Sequence, residues 1–199
     1  MIPALFPVRG PAAVTWNPND KGSGAVLSNG NLTLTGASTG GWARATLGRS
    51  SGKYYFETLI NVSAISAQGP ALGLQLITGT APVGRVAGAG WAITQAGIGT
   101  WDNGVEAGIP GSPTYGAGDV VQIATDFTNI WWGINNVWIA SGNPGTGANP
   151  RYSDLTGVGV LYPAIDNTNV STHGTFTAHF IAADMTYSLP TGFTAWAGY

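Results

Sequence analysis

The 199-residue chain carries 7 Lys and Arg side chains against 9 Asp and Glu, so its formal net charge is −2 and only 8% of its residues are charged. A hydrophobic content of 44% excludes charge-driven disorder, and the near-neutral balance excludes the basic face that nucleic-acid binding needs. The absence of cysteine excludes disulfides, thiolate metal sites and cysteine nucleophiles, and no apolar run reaches the ~18 residues of a membrane span.

The first fourteen residues predict an extended apolar arm in front of one folded domain, residues 15–199. Pro3, Pro7 and Pro11 block a helix and favour a polyproline-like conformation. The segment also lacks the basic start of a secretory signal. The apolar side chains of the arm are Ile2, Leu5, Phe6 and Val8. We expect these side chains to dock on a neighbouring subunit, because a solvated tail would carry more charge than the single Arg9.

The remaining regular segments are short runs rich in Val, Ile, Thr and aromatic residues, bounded by Gly, Asn or Pro, which is typical of strands. In chain order they are Val14–Trp16, Ala25–Leu27, Leu32–Thr35, Trp42–Leu47, Lys53–Val62, Ala71–Ile77, Gly90–Thr94, Gly99–Trp101, Val120–Phe127, Ile130–Ile134, Val137–Ile139, Leu161–Asp166 and Thr175–Ala182. So many short strands in one chain of this size predict an all-β domain of two packed sheets or a barrel.

Two segments show strand alternation clearly enough to predict which side chains face the core. In Asp119–Phe127, the side chains predicted to face the core are Val121, Ile123 and Phe127. In Thr175–Ala182, they are Phe176, Ala178 and Phe180. Thr128–Asn129 and Asn135–Asn136 predict two tight hairpin turns, because Asn tolerates the left-handed backbone that such turns require. Residues 119–139 therefore form a predicted three-strand meander, followed by an irregular Gly-rich loop over Ser141–Pro150.

Several motifs occur in the order in which the SPRY family carries them. They are Gly52–Glu57, Gly118–Val121, Asp126 with its turn, the aromatic strand Ile130–Trp132, Asn135–Asn136, Tyr162–Ala164 and Pro190–Phe193. The chain thus resembles that family over nearly its whole length, although Asn136 replaces the usual Gly and the turn after Asp126 is one residue short. The resemblance implies a bent, antiparallel two-sheet β-sandwich of the concanavalin-like kind. It also implies a non-enzymatic module that binds partners through loops at one end.

The low charge and the richness in Gly, Thr, Ala and Asn resemble bacteriophage virion proteins. This second resemblance implies a structural or host-attachment component of a virion (a fibre, spike or decoration subunit) held among other virion proteins or its own copies, with a host-surface glycan or protein as a further partner. Outside a virion, the lack of a secretory signal implies the cytoplasm. Two alternatives stay open at this stage, a glycan-binding lectin-like module and a peptide-binding SPRY adaptor.

The ionisable residues give no catalytic constellation, so we predict no enzyme, no cofactor and no metal. His173 and His179 are the only imidazoles, and Glu57 and Glu106 are isolated in the sequence. Asp119 and Asp126 are expected to cap turns. We therefore expect no cleft that brings a carboxylate close to a histidine or to a second carboxylate. The run Asp166–Asn169 suits calcium by its oxygen atoms, but consecutive Asp and Asn more often form a turn.

The candidate binding residues are aromatic, Arg and polar side chains close to predicted loops. They are Trp101, Asp102, Asn103, Tyr115, Trp138, Arg151 and Tyr152. Rigid aromatics and Arg dominate the binding energy at many protein interfaces, and aromatic rings also stack on sugars. Trp42, Trp91 and Trp132 fall inside predicted strands, and we expect them to pack in the core instead.

Overall fold

The computed structural model describes residues 13–37, 39–63, 70–79, 83–95, 99–109, 111, 113–167 and 173–198. Its strands are β1 Trp16–Lys21, β2 Ala25–Ser28, β3 Thr33–Gly36, β4 Trp42–Ala45, β5 Tyr54–Val62, β6 Ala71–Leu76, β7 Gly90–Thr94, β8 Thr100–Asp102, β9 Val105–Ala107, β10 Val120–Thr125, β11 Ile130–Ile134, β12 Val137–Trp138, β13 Leu161–Asp166, β14 Gly174–His179 and β15 Thr194–Ala195. Single 3₁₀ turns follow β12 at Ile139–Ser141 and β14 at Ala182–Asp184.

The strands form two antiparallel sheets packed face to face, which confirms the predicted β-sandwich. The seven-stranded sheet has the order β1-β4-β13-β6-β7-β8-β9, and the eight-stranded sheet has the order β12-β11-β10-β5-β14-β3-β2, with β15 added alongside β5. The edge strands β1 and β2 contact each other along one side of the sandwich. The other two edges, β9 and β12, therefore share the opposite side, which the β9–β10 connection crosses.

The core between the sheets is built around aromatic side chains, as the sequence predicts. Trp16 packs edge-on against Phe180 at 5.3 Å, and Phe56 against Trp196 at 5.6 Å between ring centroids. The side chains predicted to face inward are all buried: Val121, Ile123, Phe127, Phe176, Ala178 and Phe180. Trp91 and Trp132 are buried too. Trp42 is an exception, because it is only partly buried and stands on the outer face beside the Arg44 guanidinium.

The two predicted turns of the meander have different outcomes. Asn135 and Asn136 form the two-residue turn as predicted, with φ of 50° and 66°. The other turn is longer, because β10 ends at Thr125 and not at Phe127. The Asp126 carboxylate accepts hydrogen bonds from the backbone N–H groups of Thr128 and Asn129, at 3.0 and 2.7 Å. Phe127 adopts φ of 63°, and burial of its ring holds it in that left-handed conformation.

Strand boundaries at the sheet edges differ most from the prediction. Strand β1 runs over Trp16–Lys21 rather than Val14–Trp16, and its pairing with β4 is irregular between Trp16 and Lys21. Pro18 lies in this stretch, where an edge strand tolerates the missing N–H. Strands β9 and β15, of three and two residues, are absent from the sequence prediction. Residues 1–12 lie outside the described residues, so the predicted arm stays a prediction.

The outer face of the eight-stranded sheet is divided into two halves. In the covered half, Tyr55, Ala124 and Trp131 lie beneath Phe193, Met185 and Leu189 of the C-terminal segment. In the open half, the outward residues of β3 and β14 include Thr33, Thr35, Thr175 and Thr177, all partly exposed. There the hydroxyls pair across neighbouring strands, Thr33 with Thr177 at 2.9 Å and Thr35 with Thr175 at 3.2 Å.

Candidate functional site

A pocket of about 320 Å³ opens beside edge strand β12, against the β9–β10 connection. Ile134, Val137, Trp138 and Ile139 line one wall of this pocket, and Pro113 and Thr114 line the other. Trp138, a predicted binding residue, is partly exposed here and rests edge-on against Tyr55 at 6.4 Å between ring centroids. The sequence places it there because the Asn135–Asn136 turn leads straight into β12. The walls carry no charged side chain, so the pocket suits an apolar ligand group.

A second group of predicted residues meets at the β8–β9 hairpin. Asn103, with φ of 47°, and Gly104, with φ of 93°, form its turn. Trp101 projects onto the outer face of the seven-stranded sheet, packs against Ala92 and Val83, and stays partly exposed. The Arg85 guanidinium lies 5.6 Å from the centre of the Trp101 ring. This hairpin therefore presents a partly exposed indole on the outer face, whereas Asp102, the next residue of the strand, projects to the opposite face towards Trp91 and Asp154.

Arg151 and Tyr152 hold this hairpin in place rather than reaching into solvent. Arg151 donates from Nε to Thr100 Oγ1 at 2.6 Å and from its terminal nitrogen to the carbonyls of Ala107 and Gly108, at 3.1 and 2.9 Å. The Tyr152 hydroxyl bonds to Thr100 Oγ1 at 2.7 Å, and burial raises the pKa of that phenol. Both side chains are partly buried, which indicates a supporting role beneath the candidate surface.

Tyr115 is not part of a binding surface, contrary to the prediction. Its side chain is 3% exposed, and its hydroxyl donates to the Pro70 carbonyl at 2.8 Å. Burial also raises the pKa of Tyr115 well above its ordinary value. The Pro- and Gly-rich sequence around it predicts a loop correctly, but this loop folds its one aromatic side chain back into the core.

Two acidic side chains meet at the β8–β9 hairpin, although no such pair was expected. Partial burial and the neighbouring Asp154 carboxylate raise the pKa of Asp102. Trp91 donates from Nε1 to Asp154 Oδ1 at 3.0 Å across 63 residues of sequence, a contact that no local pattern reveals. The Asp102 and Asp154 carboxylates thus lie close enough to each other to interact.

Glu57 also has a partner, which corrects its description as isolated. His179 Nδ1 lies 3.5 Å from Glu57 Oε2, an ion-pair separation rather than a well-formed hydrogen bond. The Tyr55 hydroxyl donates to Oε1 at 2.6 Å. The backbone N–H groups of Thr186 and Tyr187 donate to the same carboxylate at 2.7 and 3.0 Å. The carboxylate is fully buried and anchors the C-terminal segment, so it faces no cleft.

The electrostatics of this buried network follow from its contacts. Burial alone raises the pKa of the Glu57 carboxyl, but His179, Tyr55 and the two backbone donors outweigh burial, and the pKa is lowered overall. The Tyr55 phenol has its pKa raised, first by burial and then by the Glu57 carboxylate. Gln122 donates from Nε2 to the Tyr55 hydroxyl at 2.9 Å and completes the network. This arrangement stabilises a charged carboxylate in the interior.

The expected turn at Asp166–Asn169 is described only in its first half. Asp166 and Asn167 are buried, and the Asn167 amide donates to the Gly36 carbonyl at 2.9 Å. Within the described ranges, no three His, Cys, Asp or Glu side chains gather around a common point. Over the same residues, no helix has the length and apolar character that a membrane crossing demands.

Comparison with known proteins identifies the architecture. No family model and no curated protein sequence matches the chain. Among solved structures, the SPRY domain of human HERC1 superposes with a TM-score of 0.64 at 19% identity, covering 82% of this chain and 96% of that domain. The fold is SPRY-like. The PSpry domain of TRIM65 agrees, with a TM-score of 0.58 at 12% identity over 83% of this chain and 88% of its own.

The SPRY-like sandwich also occurs within a longer protein, stonustoxin. That match has a TM-score of 0.59 at 14% identity and covers 83% of this chain but only 27% of the toxin chain. At these identities the comparisons establish the fold, and the binding surface has to be argued from the residues of this chain.

Proposed function

We propose that this chain is a non-enzymatic binding module that captures an apolar side chain of a protein partner in the pocket beside β12. The apolar pocket with its partly exposed Trp138 carries this proposal. A rigid aromatic at the wall of a concave apolar site is a frequent source of binding energy in protein recognition. The β9–β10 connection, which forms the opposite wall, supplies Pro113 and Thr114 without a charge.

The module is proposed to act as a structural or host-attachment component of a bacteriophage virion, such as a fibre, spike or decoration subunit. The composition supports this proposal: with 8% charged residues and a net charge of −2, the chain has little electrostatic protection against self-association. A subunit that is held in a particle needs less of that protection than a freely diffusing protein. Its partners would then be other virion proteins or its own copies.

The β8–β9 hairpin supports a second candidate, a lectin-like function. There the partly exposed Trp101 ring lies on the outer face of the sheet, with the Arg85 guanidinium 5.6 Å from its centre. An exposed aromatic face offers stacking to a sugar ring, and a neighbouring guanidinium offers hydrogen bonds to the sugar hydroxyls. The hairpin and the β12 pocket are separate sites, so substitutions can distinguish the two functions.

Peptide selection and a glycan array, both with the purified chain, test the two binding candidates. We expect peptides with a large apolar residue to be selected, and Trp138→Ala to weaken their binding at least tenfold while Trp101→Ala leaves it unchanged. Val26→Ala, at an exposed position on β2 outside both sites, is the matched control. Glycan binding that Trp101→Ala abolishes, without any selected peptide, would replace the proposal by the lectin function.

The virion context has its own test. Antibodies against the purified chain are applied to phage particles from a culture that carries the gene, and the particles are imaged by immunogold electron microscopy. We expect gold at a defined position on the particle. Labelling confined to cell debris would contradict the virion role and leave the binding proposal to the peptide experiment.

A further inference from the structure

A second pocket, of about 150 Å³, lies at the point where the described chain begins. Its walls are Val14 and Thr15 just before β1, Leu32 from the turn before β3, and Phe180 and Ile181 just after β14. Asp184, which is exposed, forms part of the rim. An apolar cavity of this volume accepts a benzene-sized ring. None of the functions considered above uses this pocket.

We propose that this pocket receives Phe6 of the partner subunit, so that two copies of the chain exchange their N-terminal arms. Residues 1–12 lead directly into Ala13 at the edge of the pocket. They contain the apolar residues Ile2, Leu5, Phe6 and Val8 and three prolines. The arm therefore leaves its own domain beside the pocket that accepts the arm of the second copy.

The reach of the arm favours a second copy over the chain's own pocket. Phe6 precedes Ala13 by seven residues, which span about 23 Å when extended. To fill its own pocket, the arm would have to reverse direction between these residues, where Pro7 and Pro11 each fix φ and remove an N–H donor. Across a two-fold axis the same arm enters the facing pocket without reversal, and the reciprocal exchange closes the dimer.

Charge complementarity supports the same occupant. Arg9 is the only charged side chain among residues 1–12, and the Asp184 carboxylate lies on the rim of the pocket. With the partner's Phe6 in the pocket, the partner's Arg9 is three residues further along the arm, within reach of that rim. A ring in the cavity and an ion pair at its edge would fix both the depth and the register of the arm.

Cysteine cross-linking tests the exchange directly, because the chain contains no cysteine. One chain carries Arg9→Cys and the other carries Asp184→Cys, each with a different affinity tag; the two are co-expressed, purified through both tags and oxidised. We expect a covalent heterodimer on a non-reducing gel. Replacing Asp184→Cys by Val105→Cys, an exposed position on β9, is the matched control and should give no such band.

A single chain with both Arg9→Cys and Asp184→Cys distinguishes the two locations of the arm. An internal cross-link at monomer mass would overturn the exchange in favour of self-docking, and no cross-link in either format would overturn docking altogether. Sedimentation gives an independent measure: Phe6→Ala should weaken dimerisation at least tenfold. Arg9→Asp should also weaken it, and the charge swap Arg9→Asp with Asp184→Arg should restore it. A wild-type chain that stays monomeric would overturn the proposal.

Discussion

The two halves of the outer face of the eight-stranded sheet satisfy their polar groups in different ways. In the covered half, the buried Glu57 carboxylate accepts hydrogen bonds from the backbone of Thr186 and Tyr187 in the segment that covers it. In the open half, the threonine hydroxyls pair with one another within the sheet, as Thr35 does with Thr175. The polar groups of the covered half depend on donors from a distant part of the chain, whereas those of the open half find partners within their own strands.

The difference between the two halves shows where a charged group can be buried in this fold. A carboxylate in the interior is strongly destabilising unless donors surround it. The C-terminal segment supplies those donors, and Phe193, Met185 and Leu189 exclude water around them. In the open half no described segment covers the strands. The outward threonine hydroxyls of β3 and β14 pair with one another there, and Thr177 also donates to Asn61 Oδ1 at 2.7 Å. The stability of the covered half should therefore be far more sensitive to substitution.

The largest effect is expected from Trp131→Ala in the covered half. Trp131 is 1% exposed, packs edge-on against Phe193 at 6.3 Å, and donates from Nε1 to the Ala148 carbonyl at 2.9 Å. Truncation should lower the free energy of unfolding by about 3–5 kcal/mol, measured by urea denaturation. Val26→Ala, at a 65% exposed position in the open half, is the control and should change it by less than about 0.5 kcal/mol. Similar losses of unfolding free energy for both variants would contradict the expectation that the covered half is more sensitive to substitution.

An intermediate effect is expected from Glu57→Gln, and it should depend on pH. The pKa of the Glu57 carboxyl is lowered in the folded state, so its stabilisation is complete above the unfolded pKa of about 4.3 and is lost as pH falls through the lower folded value. At neutral pH the variant should lose about 2 kcal/mol, because the amide cannot accept all of the carboxylate's hydrogen bonds.

The pH dependence of the melting temperature separates this charge effect from a simple loss of packing. Between neutral pH and strongly acidic pH, the difference between wild type and Glu57→Gln should shrink, because protonation removes the same charge from the wild type. Parallel curves for the two proteins over that range would show that the Glu57 charge does not stabilise the covered half.

The smallest effect is expected in the open half. Thr175→Val leaves the Thr35 hydroxyl without its partner at 3.2 Å, and this should cost about 0.5–1 kcal/mol. Thr35→Val added to it removes both hydroxyls and should return the stability close to that of wild type. A double-mutant cycle measures the coupling. Additive losses would show that the two hydroxyls do not satisfy each other.

The sequence predicts what depends on local pattern and misses what depends on contact between distant segments. The alternation in β14 predicts from the sequence alone that Phe176, Ala178 and Phe180 lie in the core, and all three are buried. Nothing in the local sequence connects Glu57 with Thr186, or Asp102 with Asp154, because the packing of remote segments brings them together. Tyr115 shows the reverse case: its Pro- and Gly-rich loop is recognisable, but the direction of its side chain is set by the Pro70 carbonyl.

The edge strands of this sandwich have a consequence for aggregation. An exposed edge invites another chain to add a strand, and a net charge of −2 offers little repulsion against that. The edge strands β2, β9 and β12 have only four, three and two residues, too few to template a long pairing. The longer edge β1 is interrupted by Pro18 and by its irregular register. The geometry of its edges therefore protects a nearly uncharged chain from uncontrolled sheet extension, even where many copies are crowded together.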